Sequence, residues 1–324
     1  MDLLKDSLKP HVFMFGACDL GFALEADVIK KDFIINRVHI NRYRHDNLDF
    51  TKGWVPNYAT SLLSLYTPPN EIANRVHESL ATYKNLKPHH YEFNREIVKY
   101  PYLKYYKTHA GPNDIFVMNF STELYTKMSV KSEIFTLLPN LGNPNLAPIN
   151  SEDPLHWLYK EYLSNEQYQH PFDTDYALNS TYDVIRDFVK DIYEIFKNRV
   201  VLVKTHLSDL TFDGAVIRKA PLDANVSYKQ SRIMQNVIDH NYAARVSNIF
   251  AKKFQTWYPC DIPVVSIDDT LFLDPNHPQG YAPYHLHSWS AHKIGAAIYK
   301  ELVKINDNTK KQISNIILTE GNIL

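Results

Sequence analysis

The sequence predicts an α/β protein with a single three-layer α/β/α domain, a mostly parallel sheet and loop insertions. Two observations carry this prediction. Short apolar runs of strand length alternate with longer segments of helical periodicity, an order typical of a parallel sheet with helices on both faces. In addition, residues 114–120 are almost continuously apolar, as expected of a parallel strand that is buried on both faces.

The elements follow in order from local patterns. Residues 11–15 form an apolar strand, and Gly16 allows the tight turn that leads to a helix over 20–31. A second strand is predicted at 33–40. A helix is predicted over 71–83, with Asn70 as its N-cap, and another helix is predicted that includes Trp157. The remaining predicted strands are 114–120, 199–205 and 263–267, and the remaining predicted helices are 180–196, 231–257 and 290–305.

The domain prediction rests on the absence of repeats and linkers. No fixed period and no low-complexity segment divides the chain, so residues 1–305 are expected to form one domain. Insertions are expected at about 41–111, 137–180 and 207–230. The polar tail 306–324 is expected to fray or to dock late.

Composition excludes several classes of protein. The 324 residues carry a formal net charge of -1, which argues against binding nucleic acid through phosphate neutralisation and against a polybasic membrane-surface protein. With only Cys18 and Cys260 there is no disulfide framework. The first residues do not resemble a signal peptide, and no apolar run approaches the ~20 residues that span a bilayer. A cytoplasmic, soluble protein is therefore expected.

Candidate site residues follow the predicted strands, because the carboxyl ends of parallel strands share one edge of the sheet. Gly16, Cys18 and Asp19 follow the first strand, where helix amides favour an anion or a thiolate. Asn119 and Ser121 end the central strand, and the Asn119 amide is a candidate oxyanion donor. The alternative interpretation is that Cys18 is a small buried residue of the hydrophobic core and has no catalytic role.

The loop after the last strand is the densest group of acid and base side chains. Asp274, His277 and His285 fall within it, and a carboxylate that orients an imidazole makes a general base for a thiol or hydroxyl. A metal site is an alternative interpretation, and its candidate ligands are Asp274, His277, His285, His287 and His292. These spacings match no helical His-x-x-x-His pair with a Glu, so no metal is expected. A structural Pro-rich turn is the third interpretation.

Together these blocks resemble the SGNH/GDSL hydrolase superfamily, whose members open with Gly-Asp-Ser and close with Asp-x-x-His. The chain has Gly16-Ala17-Cys18 and Asp274-Pro275-Asn276-His277. It is similar in particular to a bacterial branch with Gly-x-Cys, associated with capsule and cell-wall polysaccharide genes, whose last block continues to Gly280, Pro283, Tyr284 and His285. Stretches beginning at Asn57 and Asn119 also resemble blocks of that branch. Ala17 stands where the family has a polar residue, and no Gly-x-Asn-Asp block is present.

The resemblance implies a flavodoxin-like sheet of the SGNH type and an O-acyltransferase or esterase, with acetyl as the expected acyl group. Cys18 takes the nucleophile position, His285 or His277 the base position, and Asp274 orients the base. Gly16, Asp19, Asn119, Ser121, Asn57 and Tyr284 form the expected oxyanion and substrate-binding set. The implied substrate is a carbohydrate or polysaccharide precursor, with acetyl-CoA as a possible acyl donor and no tightly bound cofactor. The alternative is a non-catalytic carbohydrate-binding or assembly protein.

Overall fold

The computed structural model describes residues 9–16, 18–36, 75, 78, 106–107, 109–121, 127–130, 133–136, 157, 161, 174–220, 240–276 and 285–320. Within these residues, five strands form a parallel sheet. They are β1 (His11–Phe15), β2 (Ile34–Asn36), β3 (Ile115–Met118), β6 (Val200–Val203) and β9 (Val264–Val265). Their order across the sheet is β2-β1-β3-β6-β9, which is the doubly wound, flavodoxin-like order 2-1-3-4-5. The predicted fold class is confirmed.

Two further pairs of strands are antiparallel. β4 (Lys127–Val130) pairs with β5 (Glu133–Thr136), and β7 (Leu210–Phe212) pairs with β8 (Ile217–Lys219). The second pair lies in the segment 207–230, which was expected to be an irregular insertion. Its turn is built by Asp213, whose Oδ1 accepts the backbone N–H groups of Ala215 and Val216, and by Gly214 at φ +96°.

Five helices cover the faces of the sheet in the described part of the chain: α1 (Cys18–Leu24), α2 (Asp27–Asp32), α3 (Thr174–Phe196), α4 (His240–Trp257) and α5 (Ser288–Glu320). Helices α1, α2 and α5 pack together on one face, and α3 packs with α4 on the other. Strand residues alternate between the two cores: Val12 and Val117 lie in the first, whereas Phe13 and Phe116 lie in the second.

Three helix boundaries differ from the prediction. The predicted helix 20–31 is two helices, because Ala26 between them adopts an extended conformation with φ −55° and ψ 131°. Helix α3 begins at Thr174, inside the predicted insertion 137–180. Helix α5 continues to Glu320 instead of ending at residue 305. The tail is polar, but residues 306–320 contain no Gly or Pro that would end a helix.

Other predicted elements are described in part. Arg75, Glu78, Trp157 and Glu161 are helical, within or near the helices expected at 71–83 and around Trp157. The strand predicted at 33–40 and the helix predicted at 231–257 are described as Ile34–Asn36 and His240–Trp257. The rest of these segments lies outside the described residues.

Candidate functional site

The crevice between β1 and β3 is where the sheet reverses its winding. The chain leaves β1 toward α1 and α2 on one face, and α3 on the opposite face follows β3 in the sequence. In open α/β sheets, ligands bind outside the carboxyl ends of the strands at such a reversal. The residues that follow β1 and β3 are therefore the first to consider as a site.

A buried polar cluster, Asp19, Asn119 and Ser121, lies at this crevice. Asn119 Nδ2 donates to Asp19 Oδ2 at 2.8 Å, and Ser121 Oγ is 3.2 Å from Asp19 Oδ1 and 2.9 Å from Asn119 Oδ1. All three side chains are buried. The backbone continues the link, because the N–H of Asn119 donates to the carbonyl of Phe15 at 2.9 Å. The cluster joins the end of β3 to the first turn of α1.

Gly16 belongs to the same cluster because no side chain fits at its position. A Cβ on Gly16 would lie 2.3 Å from Asn119 Oδ1 and 2.9 Å from Leu20 Cδ2. Real Cβ atoms do not approach other atoms so closely, so glycine allows the end of β1 to lie against the Asn119 amide. A tight turn was predicted at Gly16 because the backbone of glycine allows it. The structure adds a second reason for glycine at this position, which is the close packing of Asn119 and Leu20 against the Gly16 backbone.

Asp19 is the ionisable group of the cluster. Burial raises the pKa of Asp19, and hydrogen bonds from the Leu20 backbone, Asn119 and Ser121 oppose this rise by stabilising the carboxylate. A buried carboxyl needs such donors, since an unpaired charge there is costly. The amide of Asn119 and the hydroxyl of Ser121 therefore have a clear physical role as supports for Asp19.

The predicted site residues divide into four groups, one of which is the pair Asp274 and His285. Gly16, Asp19, Asn119 and Ser121 are brought together as described. Cys18 is the first residue of α1 and is the sequence neighbour of Asp19. Asn57, His277 and Tyr284 lie outside the described residues.

Asp274 and His285 meet through the backbone. The N–H of Asp274 donates to the carbonyl of His285 at 2.9 Å, and an antiparallel bridge joins the neighbouring Leu273 and Leu286. The Asp274 carboxylate accepts the N–H of Asn276 at 2.9 Å, which forms a local turn. His285 is buried. The two ends of the predicted acid and base loop are therefore held side by side.

Thr205 and His206, which follow β6 at the same edge of the sheet, were not among the predicted site residues. Met118 pairs with Leu202, so Ser121 and Thr205 each lie three residues beyond paired positions. Thr205 is buried, and among the described residues its Oγ1 has no hydrogen-bond partner. The His206 Nε2 accepts the N–H of Ile267 at 3.1 Å. The same rule that selected Asn119, a polar residue after a buried strand, would have selected both.

His206 is expected to make stability depend on pH. Burial lowers the pKa of His206 to about 4, so the folded protein resists a proton that the unfolded chain binds below about pH 6.5. The stabilisation that the neutral, buried His206 gives the folded state is complete above about pH 6.5, and it is lost as the pH falls toward 4. Between about pH 6.5 and 4.5, the wild type should lose on the order of 2 kcal/mol more than His206→Gln, whose amide can still accept from Ile267.

Urea unfolding at several pH values measures this difference. His292→Gln is the matched control, because it makes the same substitution at a histidine that is exposed on α5. If His206→Gln unfolds with the same pH dependence as the wild type, His206 is not the group responsible.

No group of three or more His, Cys, Asp or Glu side chains lies close enough to hold a metal ion within the described part of the chain. Among those same residues, no helix is long and apolar enough to cross a membrane.

Comparisons with protein-family models, curated proteins and solved structures found no match. The residues themselves are thus the basis for any functional proposal.

Proposed function

We propose that this protein is an O-acyltransferase or acyl esterase that uses Cys18 as its nucleophile. The expected acyl group is acetyl, and the substrate class is a carbohydrate or a precursor of a cell-surface polysaccharide. Cytoplasmic action is part of the proposal and agrees with the absence of a disulfide framework. The observation that carries it is the buried cluster of Asp19, Asn119 and Ser121 at the β1–β3 crevice, directly next to Cys18 in the sequence.

In the proposed reaction, Cys18 gives its thiol proton to the base, and the resulting thiolate attacks the acyl carbonyl and forms a tetrahedral intermediate. This collapses to a thioester, and the leaving group, an alcohol or the thiol of CoA, takes a proton from the base. An acceptor hydroxyl or water then attacks the thioester, gives its proton to the same base and releases Cys18. His285 is the proposed base and His277 the alternative, with Asp274 as the orienting carboxylate. Backbone N–H groups near Cys18 and Asp19, together with the Asn119 amide, are the proposed donors to the oxyanion.

Cys18→Ala is expected to abolish acyl transfer, and His285→Ala is expected to reduce it strongly. Acetyl release from an activated ester and from acetyl-CoA, with and without an oligosaccharide acceptor, measures the activity. Mass spectrometry of a brief reaction should find one acetyl group on the wild type and none on Cys18→Ala. Cys260→Ala is the matched control, because Cys260 is the other cysteine of the sequence and is a free thiol. Full activity in both Cys18→Ala and His285→Ala would rule the mechanism out.

A specific observation favours the second candidate, a non-catalytic carbohydrate-binding or assembly protein. Asn119 Nδ2 donates to Asp19 Oδ2 at 2.8 Å, and Asn119 Oδ1 accepts the backbone N–H of Ser121 at 3.5 Å, so both ends of the amide make contacts inside the cluster. An electrophilic probe separates the candidates. An activated thiolate at Cys18 reacts rapidly near neutral pH, whereas a core thiol reacts slowly.

A further inference from the structure

Four apolar side chains form a strip near the Asp274–His285 pairing: Ile217, Phe212, Phe272 and Trp289. Phe212 and Ile217 are directly paired across the β7–β8 hairpin, so they share one face of it. Phe212 lies 5.4 Å from Phe272 between ring centroids, and Phe272 stacks on Trp289 at 5.7 Å with an interplanar angle of 22°. We call this set the aromatic strip.

The aromatic strip is exposed at its ends. Ile217 retains 54% of its accessible surface, Trp289 48% and Phe212 42%, whereas Phe272 between them is buried. Single exposed apolar side chains are common on proteins, but several of them gathered in one place are typical of a binding surface.

Charged groups around the strip are neutralised within the protein. The hairpin carries four charged side chains, and they form two ion pairs, Arg218 with Asp213 at 3.5 Å and Lys219 with Asp209 at 3.8 Å. At the other end, Lys293 pairs with Asp269 at 2.9 Å and lies 4.2 Å from the centre of the Trp289 ring. Each of these described charges has a partner of opposite sign, so the strip suits a neutral ligand better than an anion or a cation.

The strip is joined to the Asp274–His285 pairing by backbone hydrogen bonds. The carbonyl of Phe272 accepts the N–H of His287 at 2.8 Å, and the N–H of Phe272 donates to Ser290 Oγ at 2.8 Å. Asp274 is only two residues from Phe272. A chain-like ligand on the strip would therefore lead directly to the loop that carries the proposed base.

We propose that the aromatic strip binds a neutral carbohydrate chain. The faces of aromatic rings carry partial negative charge and attract the weakly positive C–H groups on the apolar face of a sugar ring. Sugar hydroxyls can bond to the paired ions at either end, such as Asp213–Arg218. This inference rests on the proposed function, because it makes the acceptor a glycan chain and not a single sugar.

The test is calorimetric titration with neutral linear hexasaccharides of glucose, mannose and N-acetylglucosamine. At least one is expected to bind, with an affinity that does not change when the salt concentration is raised. Trp289→Ala and Phe212→Ala are each expected to weaken that binding by roughly tenfold. Trp289→Phe keeps a ring and should retain most of the affinity, which separates a lost contact from a misfolded variant. Tyr182→Ala is the control, because Tyr182 is a similarly exposed ring that packs on Trp257.

Titration of Cys18→Ala separates this inference from the proposed reaction. Binding that persists in Cys18→Ala and weakens in Trp289→Ala supports the strip whether or not Cys18 is a catalyst. The proposal is overturned if none of the hexasaccharides binds, or if Trp289→Ala and Phe212→Ala bind as the wild type does. It is also overturned if sedimentation finds a dimer that Ile217→Asp dissociates, because the strip would then be covered by a second copy.

Discussion

Replacing Phe116 with alanine is expected to lower the free energy of unfolding by about 3–5 kcal/mol. Phe116 is fully buried in β3. Its ring centroid lies 5.0 Å from that of Phe196, 5.2 Å from Tyr106 and 6.2 Å from Phe188. Truncation removes the ring from all three partners, and the stiff aromatic rings around it cannot collapse into the space. The expected loss is a large share of the ~5–15 kcal/mol that stabilises a typical domain.

Chemical denaturation of the wild type, Phe116→Ala and Phe22→Ala measures this effect. Phe22 is a phenylalanine on α1 with 39% of its surface exposed, so its truncation should cost less than about a third as much. Equal losses in the two variants would contradict the assignment of Phe116 to the centre of the α3–α4 core.

Gly295→Ala is expected to destabilise the protein by about 3 kcal/mol, although alanine is normally the better helix former. Gly295 lies in α5, where it faces α1. A Cβ there would lie 2.3 Å from the carbonyl oxygen of Ala23 and 2.7 Å from Ala26 Cβ. Both are rigid groups, so the two helices must move apart. At a solvent-exposed position inside a helix, a change from glycine to alanine would raise the free energy of unfolding by up to about 1 kcal/mol. The direction of the change in stability therefore tests the close packing at Gly295.

The displacement should also reach the candidate site. Helix α1 carries Asp19, which is held by Asn119 and Ser121. Ala296→Val is the matched control, since it adds more volume at an exposed neighbouring position of α5 and should cost only a few tenths of a kcal/mol. Thermal unfolding of both variants gives the comparison. If Gly295→Ala is as stable as the wild type or more so, the close approach of α1 and α5 is wrong.

Local patterns determined which elements form but not where each one ends. The strands 11–15 and 114–120 were predictable because their apolar runs are continuous, and the helix near 180–196 because its apolar residues repeat at helical spacing. The break at Ala26 was not predictable, because it coincides with the packing of Gly295 against Ala23 and Ala26. The continuation of α5 was predictable in principle, since nothing in residues 306–320 breaks a helix.

The candidate site was predictable as a set of positions and not as a set of contacts. The rule that polar residues follow buried parallel strands selected Gly16, Asp19, Asn119 and Ser121. It did not distinguish a group that faces a ligand from one that supports its neighbours. Asn119 donates to Asp19, a contact that no local pattern indicates, and its role as an oxyanion donor stays a prediction. The proposed roles of Cys18, His277 and His285 stay predictions.

By itself, the sequence determined the α/β class, the parallel character of the main sheet and the positions at which polar residues follow its strands. These properties depend on periodicity and on backbone preferences that act over a few residues. Only the tertiary structure decided that β1 lies beside β3, and that Asp19 bonds to Asn119 and Ser121 across 100 and 102 residues of chain. It also decided that the aromatic strip joins a hairpin to α5. Such contacts depend on which faces pack together, and no local pattern in the chain carries that information.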